Sequence, residues 1–176
     1  MTPPAALNPG IFHGLNKKPP FFEGWYYKLV SADEKHKLAI IPGVILGQDA
    51  HAFVQVLDGV EGTAAYVNFP LQDFHGDAER FSVKIGANQF DGQHLKVNLY
   101  DPECQLSGEI TLGAFNPWPV TWLLPGVMGW FAWVPGMECY HGVLSFDHSL
   151  QGKLILNGKE MDFSGGRGYM EKDWGK

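Results

Sequence analysis

The chain has 176 residues, of which 45% are hydrophobic, 14% aromatic and 18% charged, and its formal net charge is −6. This length predicts one domain, and the apolar content excludes a disordered polyelectrolyte. The 22 glycines and 12 prolines are spread along the chain and exclude long helices and coiled coils. The acidic balance removes the electrostatic basis for binding nucleic acid.

The first 19 residues form a predicted N-terminal extension, and a β-domain is predicted over 20–176. The extension lacks the charged and apolar regions of a secretory signal. Two cysteines, Cys104 and Cys139, are too few for a disulfide framework. These features predict a cytoplasmic protein with no signal peptide and no transmembrane helix.

Short strand signals recur along the chain, each bounded by Gly, Pro, Asp or Asn. They cover 21–30, 37–45, 51–57, 64–69, 81–85 and 94–100. Residues 153–163 predict a hairpin with a type I′ turn at Asn157-Gly158, because that register sets Leu154 against Met161. The pattern predicts an all-β antiparallel meander, either closed into a barrel or folded as a sandwich.

Residues 110–137 carry no formal charge and interrupt this rhythm. Four prolines divide the segment, so it cannot supply the roughly 20 continuous apolar residues of a membrane-spanning helix. We call it the aromatic insert. It is either a lid that completes the core, an aromatic wall for an apolar ligand, or a surface that contacts a membrane. Its aromatic residues are Phe115, Trp118, Trp122, Trp130, Phe131 and Trp133.

The first candidate for chemistry is Glu23, which strict alternation places on one strand face with Trp25 and Tyr27. A carboxylate on such a face is either a solvated rim residue or partner of an arginine, or it is desolvated with a raised pKa. In the second case it could serve as a general acid near neutral pH.

Two further strands carry polar candidates. In the first, His141, Ser145 and Asp147 share a face with Cys139, but the spacing matches no zinc pattern and no nucleophile elbow, so no metal site is predicted. In the final strand, predicted over 168–174 and extending a face that begins at Arg167, four polar residues alternate with apolar ones: Arg167, Tyr169, Glu171 and Asp173. An arginine inside a barrel would need a carboxylate, and Asp147 or Glu171 could provide it. A last strand also suggests a sheet edge that awaits a partner.

Several motifs together resemble the tocopherol cyclase family. They are Phe22-Glu23-Gly24-Trp25-Tyr26-Tyr27-Lys28, the run 138–150, and Phe163-Ser164-Gly165-Gly166-Arg167-Gly168-Tyr169-Met170-Glu171-Lys172-Asp173-Trp174-Gly175. The family and its relatives, which include carotenoid hydratases, share a pair of lipocalin-like β-barrels. The resemblance therefore implies an all-β, antiparallel lipocalin-like β-barrel, the first of two β-domains. It also implies a missing C-terminal domain or a homodimer that replaces it.

The resemblance implies an isomerase that adds a phenol hydroxyl across a prenyl double bond to form a chromanol ring, with no cofactor. The substrate would be a prenylated quinol, a hydrophobic small molecule. The implied catalytic residues are Glu23, Asp173, His141 and Arg167, with Glu23 or Asp173 as the acid and His141 or Arg167 holding the head group. The implied substrate-binding residues are Trp25, Tyr27, Trp130, Trp133, Asp147, Tyr169 and Trp174.

Two other functions stay open on the same residues. One is a carrier that holds a prenyl quinone without converting it, and the other is an interaction module that recruits a second β-domain. Both the cyclase and the carrier lead us to expect a tryptophan-walled chamber inside the sheet, deep enough to hold an isoprenoid chain.

Overall fold

The computed structural model describes residues 5–176. Twelve strands and four short 3₁₀ turns make up the regular structure, and no helix of the described chain is long and apolar enough to cross a membrane. The strands are β1 (Phe21–Val30), β2 (Lys37–Leu46), β3 (His51–Asp58), β4 (Thr63–Pro70), β5 (Phe74–Gly76), β6 (Ser82–Ile85), β7 (Asn88–Asp91), β8 (His94–Tyr100), β9 (Gln105–Leu112), β10 (Cys139–Leu156), β11 (Lys159–Asp162) and β12 (Arg167–Gly175). The 3₁₀ turns are Ala5–Leu7, Gly14–Asn16, Leu71–Asp73 and Gly129–Trp133.

The strands form one antiparallel sheet in the order β4-β3-β2-β1-β12-β10-β9-β8-β7-β6-β5, and β11 pairs with β10. Strand β12 lies between β1 and β10, so the prediction that the final strand is an unpaired edge is wrong. The pattern of a single strand cannot show which strands lie beside it. The two ends of the sheet path are β4 and β5.

The predicted hairpin is confirmed. Lys153 pairs with Asp162 and Leu154 pairs with Met161. Asn157 and Gly158 have φ values of 50° and 82°, the positive angles that a type I′ turn requires.

One face of the sheet is buried in a single core that draws on nearly every strand. In β1 burial alternates, with Trp25, Tyr27 and Leu29 pointing inward. Strand β3 contacts β6, although the two are far apart in the hydrogen-bonded order, so the sheet curls around this core. Burial of apolar side chains inside the curl stabilises the fold.

Residues 8–14 of the predicted extension pack against the curled sheet. Ile11 and Phe12 are buried, and the Phe12 ring meets Phe74 edge to face with 5.1 Å between centroids. The Trp25 indole N–H donates a hydrogen bond to the Gly10 carbonyl at 2.9 Å. Backbone groups of this segment are therefore satisfied by side chains of the core.

Candidate functional site

A group of polar side chains lies on the outer face of β10 and β12. On β12 the residues Tyr169, Glu171 and Asp173 are half-buried and alternate with buried ones, as predicted. On β10 His141 lies directly opposite Asp173 in the strand register. We call these four residues the outer-face cluster.

The His141 ring lies between two carboxylates. Its Nδ1 is 2.7 Å from Asp173 Oδ1, and its Nε2 is 3.6 Å from Glu171 Oε2. The Tyr169 hydroxyl donates a hydrogen bond to Glu171. The His141 ring is therefore hydrogen-bonded to Asp173 through Nδ1, while the Glu171 carboxylate faces Nε2 just beyond hydrogen-bond distance.

The electrostatics of the cluster favour a protonated imidazole. The hydrogen bond that the His141 Nδ1–H donates to Asp173 raises the pKa of His141 above its ordinary value, and this outweighs the lowering caused by burial. Burial and the hydrogen bond with Glu171 raise the pKa of Tyr169, so its hydroxyl keeps its proton at neutral pH.

Titration of His141 provides a direct check. We expect the imidazole to titrate above 6.5 in the folded chain and to move back toward that value in the Asp173→Asn variant, because the hydrogen-bonding carboxylate is lost. The measurement is the pH dependence of the His141 ring signals in NMR spectra. An unchanged pKa in the variant would contradict the role given to Asp173.

Aromatic side chains surround the cluster. The Tyr169 ring lies 6.5 Å from Tyr26 and 6.4 Å from Phe146, centroid to centroid. Phe146 in turn meets Trp118 of the aromatic insert at 5.7 Å. These rings can stabilise a nearby cation through their faces.

The aromatic insert lies beside the first residues of β10. The Tyr140 hydroxyl donates to the Val134 carbonyl at 2.8 Å, and the His141 backbone N–H donates to Met128 Sδ at 3.0 Å. The insert therefore borders the outer-face cluster, while Phe115 near its start packs against the core.

Arg167 and Asp147 form a two-point ion pair on the same outer surface. The Arg167 Nε lies 2.5 Å from Asp147 Oδ1, and its Nη2 donates to Oδ2. The arginine holds the pKa of Asp147 below its usual value. Asp147 is thus one of the two partners that the sequence suggested, although the pair lies outside the sheet and not within a barrel.

Strict alternation fails after Val143, where a β-bulge shifts the register of β10 against β12. Ser145 was predicted to share the face of His141, but it pairs with Met170 and is buried. Its hydroxyl bonds to Nδ1 of buried His148 at 3.0 Å and to the Asp147 carbonyl at 3.0 Å. These contacts hold the bulge in place.

Glu23 has no exposed surface and forms an ion pair with Lys172, which is also fully buried. The His13 backbone N–H donates to both Glu23 oxygens, at 3.0 and 3.1 Å. Burial raises the pKa of Glu23, as one of the two alternatives predicted. Its partner is a lysine rather than an arginine, and no rim position is involved.

Sequence reasoning missed Lys172. Its ammonium donates to the Ile11 carbonyl and lies 4.8 Å from the centre of the Trp25 ring. Burial lowers the pKa of Lys172 to about 8. The pKa of His13 is lowered to about 3, mainly by burial and secondly by the positive charge of Lys172. Strand alternation could have revealed the burial of Lys172, because this residue lies between Met170 and Trp174 on the inner face of β12.

The tryptophans do not gather around one chamber. Trp25 is fully buried and stacks on Phe81, and the Tyr27 hydroxyl donates to the Asp91 carbonyl at 3.1 Å. Trp130 and Trp133 lie in the insert, where Trp133 stacks on Trp122 at 5.2 Å. The predicted tryptophan-walled interior is therefore wrong: Trp25 fills the core, and the insert holds the other two outside it.

A cleft of about 430 Å³ lies instead at the end of β12. Trp174 borders it and stacks on Tyr140 with 5.8 Å between centroids. Phe21, Pro135 and Lys17 also line it. Of the predicted binding residues, Trp174 is the one at this cleft.

Three ligand atoms of His141, Glu171 and Asp173 lie within 4.8 Å of one another, a set that could hold a metal ion. The two ring nitrogens already face one carboxylate each, so the same geometry serves proton transfer. The two cysteines are free thiols, Cys104 buried and Cys139 exposed.

No protein-family model matches this sequence, and no curated protein matches it. Solved structures do match its fold. The crystal structure of CghA with Sch210972 is 15% identical, with a TM-score of 0.57 over 89% of this chain and 46% of that chain. An AttH-type protein from Nitrosomonas europaea is 12% identical, with a TM-score of 0.50 over 93% of this chain and 56% of that one.

The chain thus spans about half the length of the solved structures that it matches. At these identities the likeness concerns architecture alone. Together with the curled antiparallel sheet, it identifies the fold as that of a lipocalin-like β-domain.

Proposed function

We propose that the chain supplies the acid site of a tocopherol cyclase-like enzyme, which adds a phenol hydroxyl to a prenyl double bond within one substrate. The observation that carries the proposal is the position of His141, with Nδ1 2.7 Å from Asp173 and Nε2 3.6 Å from Glu171. The sequence motifs that resemble the family include all three residues.

The proton donor in this proposal is the imidazolium of His141. Glu23 is enclosed by Lys172 and the His13 backbone and has no surface that a substrate can reach. His141 is half-exposed, and its hydrogen bond to the Asp173 carboxylate raises its pKa and so favours the protonated ring. The acid is therefore assigned to the His141–Asp173 pair and not to Glu23.

The reaction balances without a redox partner. His141 Nε2 gives its proton to one alkene carbon, whose π electrons form the new C–H bond and leave a cation on the other carbon. The phenol oxygen forms a C–O bond to that cation, and the phenol proton passes to Glu171 and back to Nε2. Protonation of an alkene by an imidazolium is uphill, so Tyr26, Tyr169 and Phe146 must stabilise the cation.

The test uses the full chain and a prenylated hydroquinone kept reduced under anaerobic conditions. We expect chromanol to appear in chromatograms, and reaction in D₂O to place one deuterium on the carbon that receives the proton. Boiled protein and the buffer alone measure the uncatalysed rate. A rate equal to that background would overturn the proposal.

The second candidate function is a carrier for a prenyl quinone. The cleft of about 430 Å³ beside Trp174 favours it, because that volume is within the range of small-molecule sites. Equilibrium dialysis with the same hydroquinone separates the two functions. A carrier binds it and returns it unchanged, and Trp174→Ala then weakens binding while His141→Gln does not.

A further inference from the structure

Large apolar side chains are exposed in the aromatic insert. Residues 121–124 form a turn in which the Thr121 N–H donates to the Leu124 carbonyl at 2.9 Å and the Leu124 N–H donates to Thr121 Oγ1 at 3.0 Å. This turn presents Trp122, which is 69% exposed, and Leu123, which is 90% exposed. Leu124, Trp130 and Phe131 of the same insert are also exposed.

Such exposure is costly in water. Exposed apolar side chains are common singly, but a group of five in one short segment marks a surface that binds another apolar phase. No formal charge occurs over 110–137, so no charged side chain within the insert opposes its transfer out of water.

Basic side chains flank the insert. Lys17 lines a cleft with Trp133 and Val134. Lys17, Lys18 and Lys176 line the neighbouring cleft with Pro135. No acidic side chain is among the described residues that line these two clefts, although the whole chain carries a net charge of −6.

We infer that the aromatic insert docks on the surface of an anionic lipid bilayer. Trp122 and Leu123 enter the interface between head groups and acyl chains, where tryptophan is favoured. Lys17 and Lys18 face the lipid head groups, and basic residues near such a surface strengthen binding. This inference does not require the proposed catalysis.

The position of the exposed side chains favours a bilayer over a second β-domain. They lie in an irregular segment outside the sheet, whereas the sheet ends that could pair with another strand are β4 and β5. The two chemical layers of an anionic bilayer match these side chains. Trp122 and Leu123 suit the apolar acyl chains, and Lys17 and Lys18 suit the anionic head groups.

The test is cosedimentation of the full chain with vesicles of phosphatidylcholine, alone or mixed with phosphatidylglycerol. We expect binding to the mixed vesicles and a blue shift of tryptophan emission. Leu123→Glu should reduce the partition coefficient about tenfold or more, because a charge then replaces the leucine that enters the bilayer. Lys17→Glu combined with Lys18→Glu should weaken binding to the mixed vesicles alone by about tenfold.

The matched control is Tyr100→Glu. Tyr100 is 89% exposed and is the last residue of β8, which lies near the Leu156 end of β10 and away from the insert. The Tyr100→Glu variant should bind vesicles as strongly as the unchanged chain does. Absence of vesicle binding, or equal binding by Leu123→Glu and Tyr100→Glu, overturns the inference.

A dimer that forms through the insert, dissociates in Leu123→Glu and does not bind vesicles would also overturn it. Chromatography with light scattering detects that outcome. Vesicle binding is measured without substrate. A negative vesicle result therefore does not contradict the proposed cyclisation, and a negative cyclisation assay does not contradict membrane docking.

Discussion

Replacing Lys172 by methionine is expected to lower the free energy of unfolding by about 3–5 kcal/mol, because Glu23 is left buried in the core without its cationic partner. The His13 ring lies 3.7 Å from Glu23 but does not replace the lysine charge, since burial lowers the pKa of His13 to about 3. The His13 backbone N–H supplies two hydrogen bonds to that carboxylate but no charge. The Ile11 carbonyl also loses its donor. Equilibrium unfolding in urea, followed by tryptophan fluorescence, measures the loss.

The control for this loss is Lys153→Met. Lys153 also lies on a strand and pairs with carboxylates, Glu160 and Asp162, but its side chain is half exposed. Ion pairs in solvent contribute little to stability, so this variant should unfold close to the unchanged chain. Combining Lys172→Met with Glu23→Gln should recover part of the lost stability, because no unpaired charge then remains. Equal unfolding of Lys172→Met and Lys153→Met would show that the buried pair does not stabilise the fold.

Replacing His141 by glutamine is expected to reduce the cyclisation rate constant at least about 100-fold, the usual effect of losing a general acid. Glutamine preserves a polar side chain of similar reach, so the fold and the contacts of Asp173 are disturbed little. The rate of the unchanged chain should also fall as pH rises through the pKa of His141, because only the imidazolium donates a proton. That pKa lies above 6.5, so the decline should begin above the pH expected for an unperturbed histidine.

His94→Gln is the matched control for this variant, since His94 is an exposed histidine of β8 that lies near a carboxylate, Asp91. It should retain the full rate. Glu23→Gln separates two alternatives: if Glu23 were the acid, the rate would vanish in every preparation that remains folded. Loss of activity in Glu23→Gln together with full activity in His141→Gln would assign the acid to the buried carboxyl instead.

Most of the strands could be predicted from local pattern. In β8 apolar residues alternate with polar ones over seven residues, and the structure keeps that alternation. In β1 burial alternates as predicted, although the residue types do not. The short strands β5 and β7 were missed because three or four residues give too few alternations. Strand β9 was missed because Gly108 stands between Leu106 and Ile110, where a strand pattern expects an apolar side chain.

The candidate site was predicted only in part. Strand periodicity correctly placed Tyr169, Glu171 and Asp173 on one face, but it could not reveal that β10 lies beside β12 and brings His141 opposite Asp173. Lys172 was missed because buried lysines are rare, and a lysine between apolar residues is ordinarily assigned to solvent. The partner of Glu23 lies 149 positions away in the chain, so no local pattern connects them.

The central position of β12 has a consequence for the order in which this chain folds. Within the described residues, β12 provides the one hydrogen-bonded connection between the strands β1–β4 and the strands β5–β11, because it pairs with both β1 and β10. The strands of each group can pair with neighbours that are close in the sequence. The two groups join only when β1 pairs with β12, more than a hundred residues away. Closing so large a loop is slow, so joining the two groups should limit the folding rate.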